Sequence, residues 1–294
     1  MLWFRFSIKG LLLLFLGNIL HCFFILTLKN RNSSNSSTTS NPLQIAKILF
    51  LFLISSFIYI LASIYVEPST FGVSLAYLMI FYDIYHFYYK KRSPYFKRLY
   101  EPSLFVSIFA IIVNFLHSPP SFENIGLFEV YHLLYSPVGS VLTVAYTLIQ
   151  LILFILVRKN NHLGILLNLS FVMCSYENFL KLTSNCILLS ITIENQVFTP
   201  FFVPFFIAFI VTCIYYVYSL LQFFKLEING LQRGVGYFAY LVVQVASATL
   251  LYGDPMLLPP IPVALFLSSA VLLALSVLAM SIGAWSFSSN QTLP

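Results

Sequence analysis

Eighteen of the 24 charged side chains in this chain fall in the gaps between or beside apolar runs of bilayer-spanning length, and this spacing restricts the fold more than any motif does. A transmembrane helix needs about 20 consecutive apolar residues, because hydrocarbon offers no partner to an open backbone N–H or C=O. Runs of this kind lie at residues 2–28, 45–66, 70–89, 103–117, 139–157, 163–188, 198–224, 235–251 and 263–285. The expectation is therefore all-α: a polytopic transmembrane helical bundle of about nine spans, forming one domain over residues 1–294 with no soluble domain. Composition agrees, since 60% of residues are hydrophobic and 8% charged, where soluble domains carry about a quarter charged. Residues 29–44, rich in Ser, Asn and Thr, read as a flexible polar loop. The stretch 126–135 is too short to cross. It sets Glu129 and His132 on one helical face and Leu127, Tyr131 and Leu134 on another, the pattern of a helix lying in the membrane interface.

Charge placement predicts the orientation. The loops after the first, third, fifth and seventh spans, with their borders, hold Lys29, Arg31, Lys47, Lys90, Lys91, Arg92, Lys97, Arg98, Arg158, Lys159, Lys225 and Arg233. The alternate loops hold only Glu67, Glu123, Glu129, Glu194 and Asp254. By the positive-inside rule the first set and the C-terminus are cytosolic and the N-terminus is lumenal, with Arg5 and Lys9 dissenting. This leaves the loop and tail glycosylation sequons at Asn32, Asn35 and Asn290 in the cytosol and unmodified. The compartment suggested is a eukaryotic endomembrane, most simply the endoplasmic reticulum. No basic segment is large enough to fold into a nucleic-acid reader, so the net charge of +6 reads as a topology signal. Cys22, Cys174, Cys186 and Cys213 lie inside apolar runs without metal spacing and read as small buried hydrophobes.

The sixth span carries the strongest site candidate. Ser170, Cys174, Glu177, Lys181 and Ser184 recur at three- and four-residue steps and so form one polar stripe on a helix. Glu177 and Lys181 stand in the favourable order for an i,i+4 ion pair, and a charge in hydrocarbon is costly enough to demand a partner or a use. Two readings of the pair stand side by side: a substrate or ion path, or a structural pair whose Lys181 snorkels to the headgroups. Thr143, Thr147 and Gln150 on the fifth span and Gln244 on the eighth are candidate lining, or else interhelical glue. Asp83 and His86, three apart beneath Lys90, are secondary candidates near the interface. His21 reads as a packed, hydrogen-bonded side chain. Pro200 and Pro204, early in the seventh span, suggest a kink.

Ala270, Ala274, Ala279 and Gly283 on the last span give small-xxx-small spacing, a candidate face for a membrane-protein partner. No catalytic motif, metal site or cofactor is implied, and the partner that composition does imply is the lipid bilayer. Tyr82-Asp83 and Leu251-Tyr-Gly-Asp254, with Pro262-Val-Ala-Leu265, resemble in part the nine-span intramembrane aspartyl proteases of the signal peptide peptidase and presenilin family. Leu251 stands where that family has Gly, Val263 interrupts its Pro-Ala-Leu, and the two aspartates fall five spans apart, not on neighbouring ones. No catalytic residue is carried over. Three functional classes follow: a protein that moves or accommodates a small solute, ion or lipid within its bundle; a non-catalytic subunit or biogenesis factor of an endomembrane complex; and, more weakly supported, a membrane-embedded lipid-modifying enzyme.

Overall fold

A computed structural model of the chain describes residues 8–34, 42–66, 94–117, 126–192, 195–197, 199–226, 230–252 and 259–290. Among them every regular element is helical and there is no strand. The helices are α1 (Ile8–Ser34), α2 (Pro42–Ser63), α3 (Pro94–Leu116), α4 (Leu127–Tyr135), α5 (Pro137–Arg158), α6 (His162–Thr192), α7 (Phe202–Phe224), α8 (Gly230–Tyr252) and α9 (Pro260–Asn290). The expected third span, with Asp83 and His86, lies outside the described residues, as does Asp254.

Among the described residues five helices are long and apolar enough to cross a membrane: α1, α2, α5, α6 and α7. The expected nine spans are thus matched in five places by length and composition. In α3, α8 and α9 the described apolar stretches are Pro102–Asn114, Val235–Ala248 and Pro260–Ser276. The short helix expected at 126–135 is present as α4.

The proline expectation in α7 is corrected. The helix begins at Phe202, so Pro200 precedes it and Pro204 occupies its first turn. First-turn N–H groups have no intrahelical acceptor, so Pro204 removes no bond and need not bend the helix.

The helices form two compact units, α1, α2 and α4–α7 in one and α3, α8 and α9 in the other. In the first, α6 packs against α2, α5 and α7, α1 packs against α2 and α7, and α4 against α5. Of the five span-length helices, α6 is the least apolar and the most buried. It buries 19 of its 31 residues, whereas α5 buries only Gly139, Leu153 and Val157. That ordering is what a lipid solvent dictates. Helices apolar all round can face hydrocarbon, while the one carrying amides, hydroxyls and charges must be wrapped by the others.

Two tight connections set this packing. Between α5 and α6 the chain turns in a few residues: Asn160 N–H donates to Val157 O (3.0 Å) and Asn161 N–H to Leu156 O (3.1 Å). These bonds satisfy carbonyls that the helix end leaves open, and they require a left-handed residue at 160, where Asn160 has φ 52°. Asn161 Oδ1 then accepts from Gly164 N–H at 2.9 Å, capping the start of α6. Between α4 and α5, Ser136 caps with its hydroxyl oxygen, accepting from Gly139 N–H at 3.0 Å, and Pro137 takes the first helical position.

In the second unit α9 packs against α3 and α8. Asn114 on α3 donates to Ser269 Oγ (3.1 Å) and Phe266 O (3.3 Å) of α9. Ala270 and Ala274 are buried and Ala279 is half-buried. Much of the small-residue face is therefore already covered within the chain.

Candidate functional site

The polar stripe of the sixth span lies along the buried side of α6. Ser170, Cys174, Glu177, Lys181 and Ser184 are all 5% exposed or less. The side chains opposite come from α1, α2 and α7, and several of them carry polar groups that an apolar reading of those helices hides.

Lys181 is one of the largest fully buried side chains, at 1% exposure. Its Nζ donates to Ser63 O at 2.6 Å. Ser63 is the last helical residue of α2, so this carbonyl belongs to the set that a helix end leaves without intrahelical donors. The carboxyl end of a helix also carries partial negative charge, which an ammonium stabilises. The snorkelling expected of Lys181 is therefore corrected: the chain supplies an acceptor at the end of α2, and the side chain turns inward to it.

One turn before Lys181, Tyr176 and Glu177 face α2 and α7. Tyr176 stacks on Tyr216 of α7, ring centroids 5.0 Å apart and 7° from parallel. His21 of α1 stacks against both. Its Nε2 is 2.7 Å from Tyr216 Oη and its Nδ1 3.3 Å from Ser55 Oγ.

The proton directions follow from the serines. Ser55 Oγ donates to Phe52 O at 2.9 Å and Ser56 Oγ to the same carbonyl at 2.7 Å. Each hydroxyl has one proton, so toward the ring and toward Tyr176 these oxygens accept. His21 thus carries its proton on Nδ1, and Nε2 accepts from Tyr216. Tyr176 donates to Ser56 Oγ at 2.7 Å, and Tyr59 donates to Asn18 Oδ1 at 2.7 Å. Three phenols are oriented as donors around one neutral imidazole. Glu177 lies within electrostatic reach of Tyr59, Tyr176 and Tyr216.

Close packing holds the arrangement. A Cβ added at Gly17 would stand 2.9 Å from Tyr59 Cδ1, so this glycine lets α1 approach the ring that bonds its neighbour Asn18. Further along α6, Asn168 donates to Ser219 Oγ (2.9 Å) and accepts from Tyr215 Oη (2.9 Å). Asn168, which with Leu169 and Ser170 also spells a glycosylation sequon, is therefore a buried tie between α6 and α7.

The remaining candidates separate. Thr143 and Thr147 lie on the exposed side of α5, and their hydroxyls return to Gly139 O and Thr143 O, both at 2.8 Å. Gln150 donates to Tyr146 Oη at 3.2 Å, and Tyr146 bonds Ser175 of α6. Gln244 is fully buried on α8 and belongs to the other unit. Sequence reasoning missed Tyr59, Tyr176, Tyr216, Ser55 and Ser56 and named His21 only as packing. No known protein family, curated protein or solved structure matches this chain.

Proposed function

We propose that this multi-pass membrane protein moves or accommodates a small solute, ion or lipid within its bundle, at the polar core of α1, α2, α6 and α7. The observation that carries this reading is the burial of His21, Glu177 and Lys181, each 5% exposed or less, inside helices of spanning length. Ionisable groups at membrane depth are expensive, and where they occur they commonly mark pathways and relays. Lys181 has a structural account in the α2 end. His21 also ties α1 to α7 and α2, through Tyr216 at 2.7 Å and Ser55 at 3.3 Å, which leaves Glu177 as the group that the transport reading takes up first.

Reconstitution into sealed vesicles tests this, with ion leak measured under a clamped potential and scrambling measured with a fluorescent phosphatidylcholine. Glu177→Gln is expected to lower the flux by about tenfold or more, the factor produced by losing about 1.4 kcal/mol. An unchanged flux in a folded variant would remove Glu177 from the path.

A second reading, a non-catalytic subunit or biogenesis factor of an endomembrane complex, is favoured by α5. Its side chains Val138, Val141, Val144, Leu148, Leu151, Ile152 and Ile155 are all exposed. A partner helix would cover that face, and Leu148→Arg with the core intact would then release it. On α9, the small-residue spacing of Ala279 and Gly283 offers a partner a separate face.

The nine-crossing topology belongs to the same proposal, with the basic loops and the C-terminus cytosolic and the endoplasmic reticulum as the membrane. It predicts that Asn32, Asn35 and Asn290 stay unmodified. Endoglycosidase treatment of the protein expressed in eukaryotic cells should leave its gel mobility unchanged. A mobility shift abolished by Asn32→Gln with Asn35→Gln would put the first loop in the lumen and change the number of crossings.

A further inference from the structure

We infer that the first unit binds an anionic phospholipid where α5 ends and α6 begins. Arg158, Lys159 and Lys225 hold the headgroup, and an acyl chain lies in the furrow that α5 and α7 leave over α6. The inference needs only that this unit sits in a membrane, and it is independent of what the α1–α2–α6–α7 core carries.

Contacts within the unit fix which helix ends lie together. α5 runs antiparallel to α6, since Tyr146 bonds Ser175 while Leu156 lies against Gly164. α7 is also antiparallel to α6, with Tyr216 stacked on Tyr176 and Ser219 bonded to Asn168. The carboxyl ends of α5 and α7 therefore meet the amino end of α6, which brings Arg158, Lys159 and Lys225 to one level, all three exposed. α2 runs parallel to α6, by Ser56 with Tyr176 and Ser63 with Lys181, and α1 runs antiparallel to α2, by His21 with Ser55 and Asn18 with Tyr59. Lys29, Arg31 and Lys47 thus stand at the same end, on the α1–α2 side. The described carboxylates of this unit, Glu129 and Glu177, lie elsewhere along it. Glu227, which follows Lys225 in the sequence, lies outside the described residues and leaves the three cations in excess.

The furrow is built from three stripes. Leu163, Leu167 and Phe171, one every four residues, stay partly uncovered on a helix that is otherwise largely buried, and they form the floor. On one wall Phe154 and Arg158 are one turn apart on α5, and the Arg158 guanidinium carbon lies over the Phe154 ring, 4.9 Å from its centroid. That contact holds a weakly hydrated cation against an aromatic wall. On the other wall Tyr215, Tyr218, Gln222 and Lys225 recur at three- and four-residue steps of α7. The walls meet where the Phe154 and Tyr215 rings come to 6.4 Å. Tyr215 is fixed there by its bond to Asn168, and Tyr218 stacks on it at 6.1 Å. Tyr218 lies about 10 Å from Lys225 along the helix axis, at the depth where phenols favour the membrane interface. Below the cations the outward side chains are apolar, with Ile155 and Ile214 both exposed. A guanidinium and two ammoniums at the rim match phosphate oxygens, and the apolar walls beneath match hydrocarbon. A free phosphate would use the rim alone, whereas a phospholipid uses both parts.

Native mass spectrometry of the full chain in a neutral detergent, titrated with phosphatidylinositol, tests this. Phosphatidylcholine with the same acyl chains should bind about tenfold more weakly or worse, because it carries no net charge for the rim. Inorganic phosphate in about hundredfold excess should fail to displace the lipid, because it lacks the buried chain. Arg158→Gln with Lys159→Gln should weaken phosphatidylinositol about 25-fold and Lys225→Gln about fivefold, a factor of about five for each cation near a membrane surface. Lys29→Gln with Lys47→Gln removes as much charge from the same end on the α1–α2 side, and should change binding by less than about twofold. All five of these side chains are exposed, so the substitutions leave the packed core untouched. Equal affinity for the two lipids, displacement by phosphate, or a loss in the Lys29 and Lys47 variant as large as in the Arg158 and Lys159 variant would each overturn the site.

Discussion

Replacing Lys181 by Ala is expected to cost the fold about 3–5 kcal/mol, the range for breaking a buried charged arrangement by deleting one member. Three losses add up at this site. Ser63 O loses the donor that stands 2.6 Å away at the end of α2, and an orphaned buried acceptor costs about 1–3 kcal/mol. A side chain that is 1% exposed leaves a void. Glu177, one turn away on the same helix and itself 5% exposed, loses a compensating charge. Lys181→Met separates these contributions, because it refills the void and restores neither the donor nor the charge. Unfolding in mixed micelles should therefore rank wild type above Lys181→Met above Lys181→Ala. Adding Glu177→Gln to Lys181→Met removes both charges and should recover part of the loss, since neutral replacements of a buried charge pair are often tolerated. A Lys181→Met protein as stable as wild type would show that α2 does not depend on the ammonium.

How much of this was legible in the sequence depends on what each helix presents to itself and what it presents to its neighbours. The α6 stripe was readable because helical periodicity alone puts Ser170, Cys174, Glu177 and Lys181 on one side. The inward turn of Lys181 was not, because it depends on where α2 ends in space. Tyr59, Tyr176 and Tyr216 were lost among 19 tyrosines, since an aromatic in an apolar run reads equally well as lipid-facing, interfacial or core. What distinguishes them is a partner on another helix, and the register between helices is not written along any one of them. Thr143 and Thr147 show the converse. Their spacing suggested a polar lining, but a threonine hydroxyl can be satisfied by the carbonyl four residues back on its own helix, and these two are, which frees them to face outward. Pro200 and Pro204 show the same limit at a helix end, where two residues of boundary decide between a kink and a start.

Gly139→Ala is expected to be the most damaging exchange of a single hydrogen for a methyl group in the α4–α5 corner, at about 3 kcal/mol. A Cβ built there would stand 1.8 Å from Leu133 O and 2.8 Å from its carbonyl carbon, so the clash is with backbone and cannot be relieved by a rotamer. The same carbonyl accepts from Ser136 N–H (3.1 Å) and Ser136 Oγ (2.6 Å), and Ser136 Oγ accepts in turn from Gly139 N–H (3.0 Å). Pushing Leu133 O aside therefore strains three bonds together, each worth about 1 kcal/mol. Gly164→Ala is the companion case in the α5–α6 turn, where the new Cβ would lie 2.4 Å from Leu156 Cβ; overpacking of this kind costs about 1–3 kcal/mol. Because that contact is to the Cβ itself, adding Leu156→Ala should fail to rescue it, whereas a clash with the outer leucine atoms would be cured. Both variants should unfold earlier in mixed micelles and lose protease resistance at their own turn first. Wild-type stability in Gly139→Ala would mean that α5 does not leave α4 through this corner, and the path of the chain into α5 and α6 would have to be drawn again.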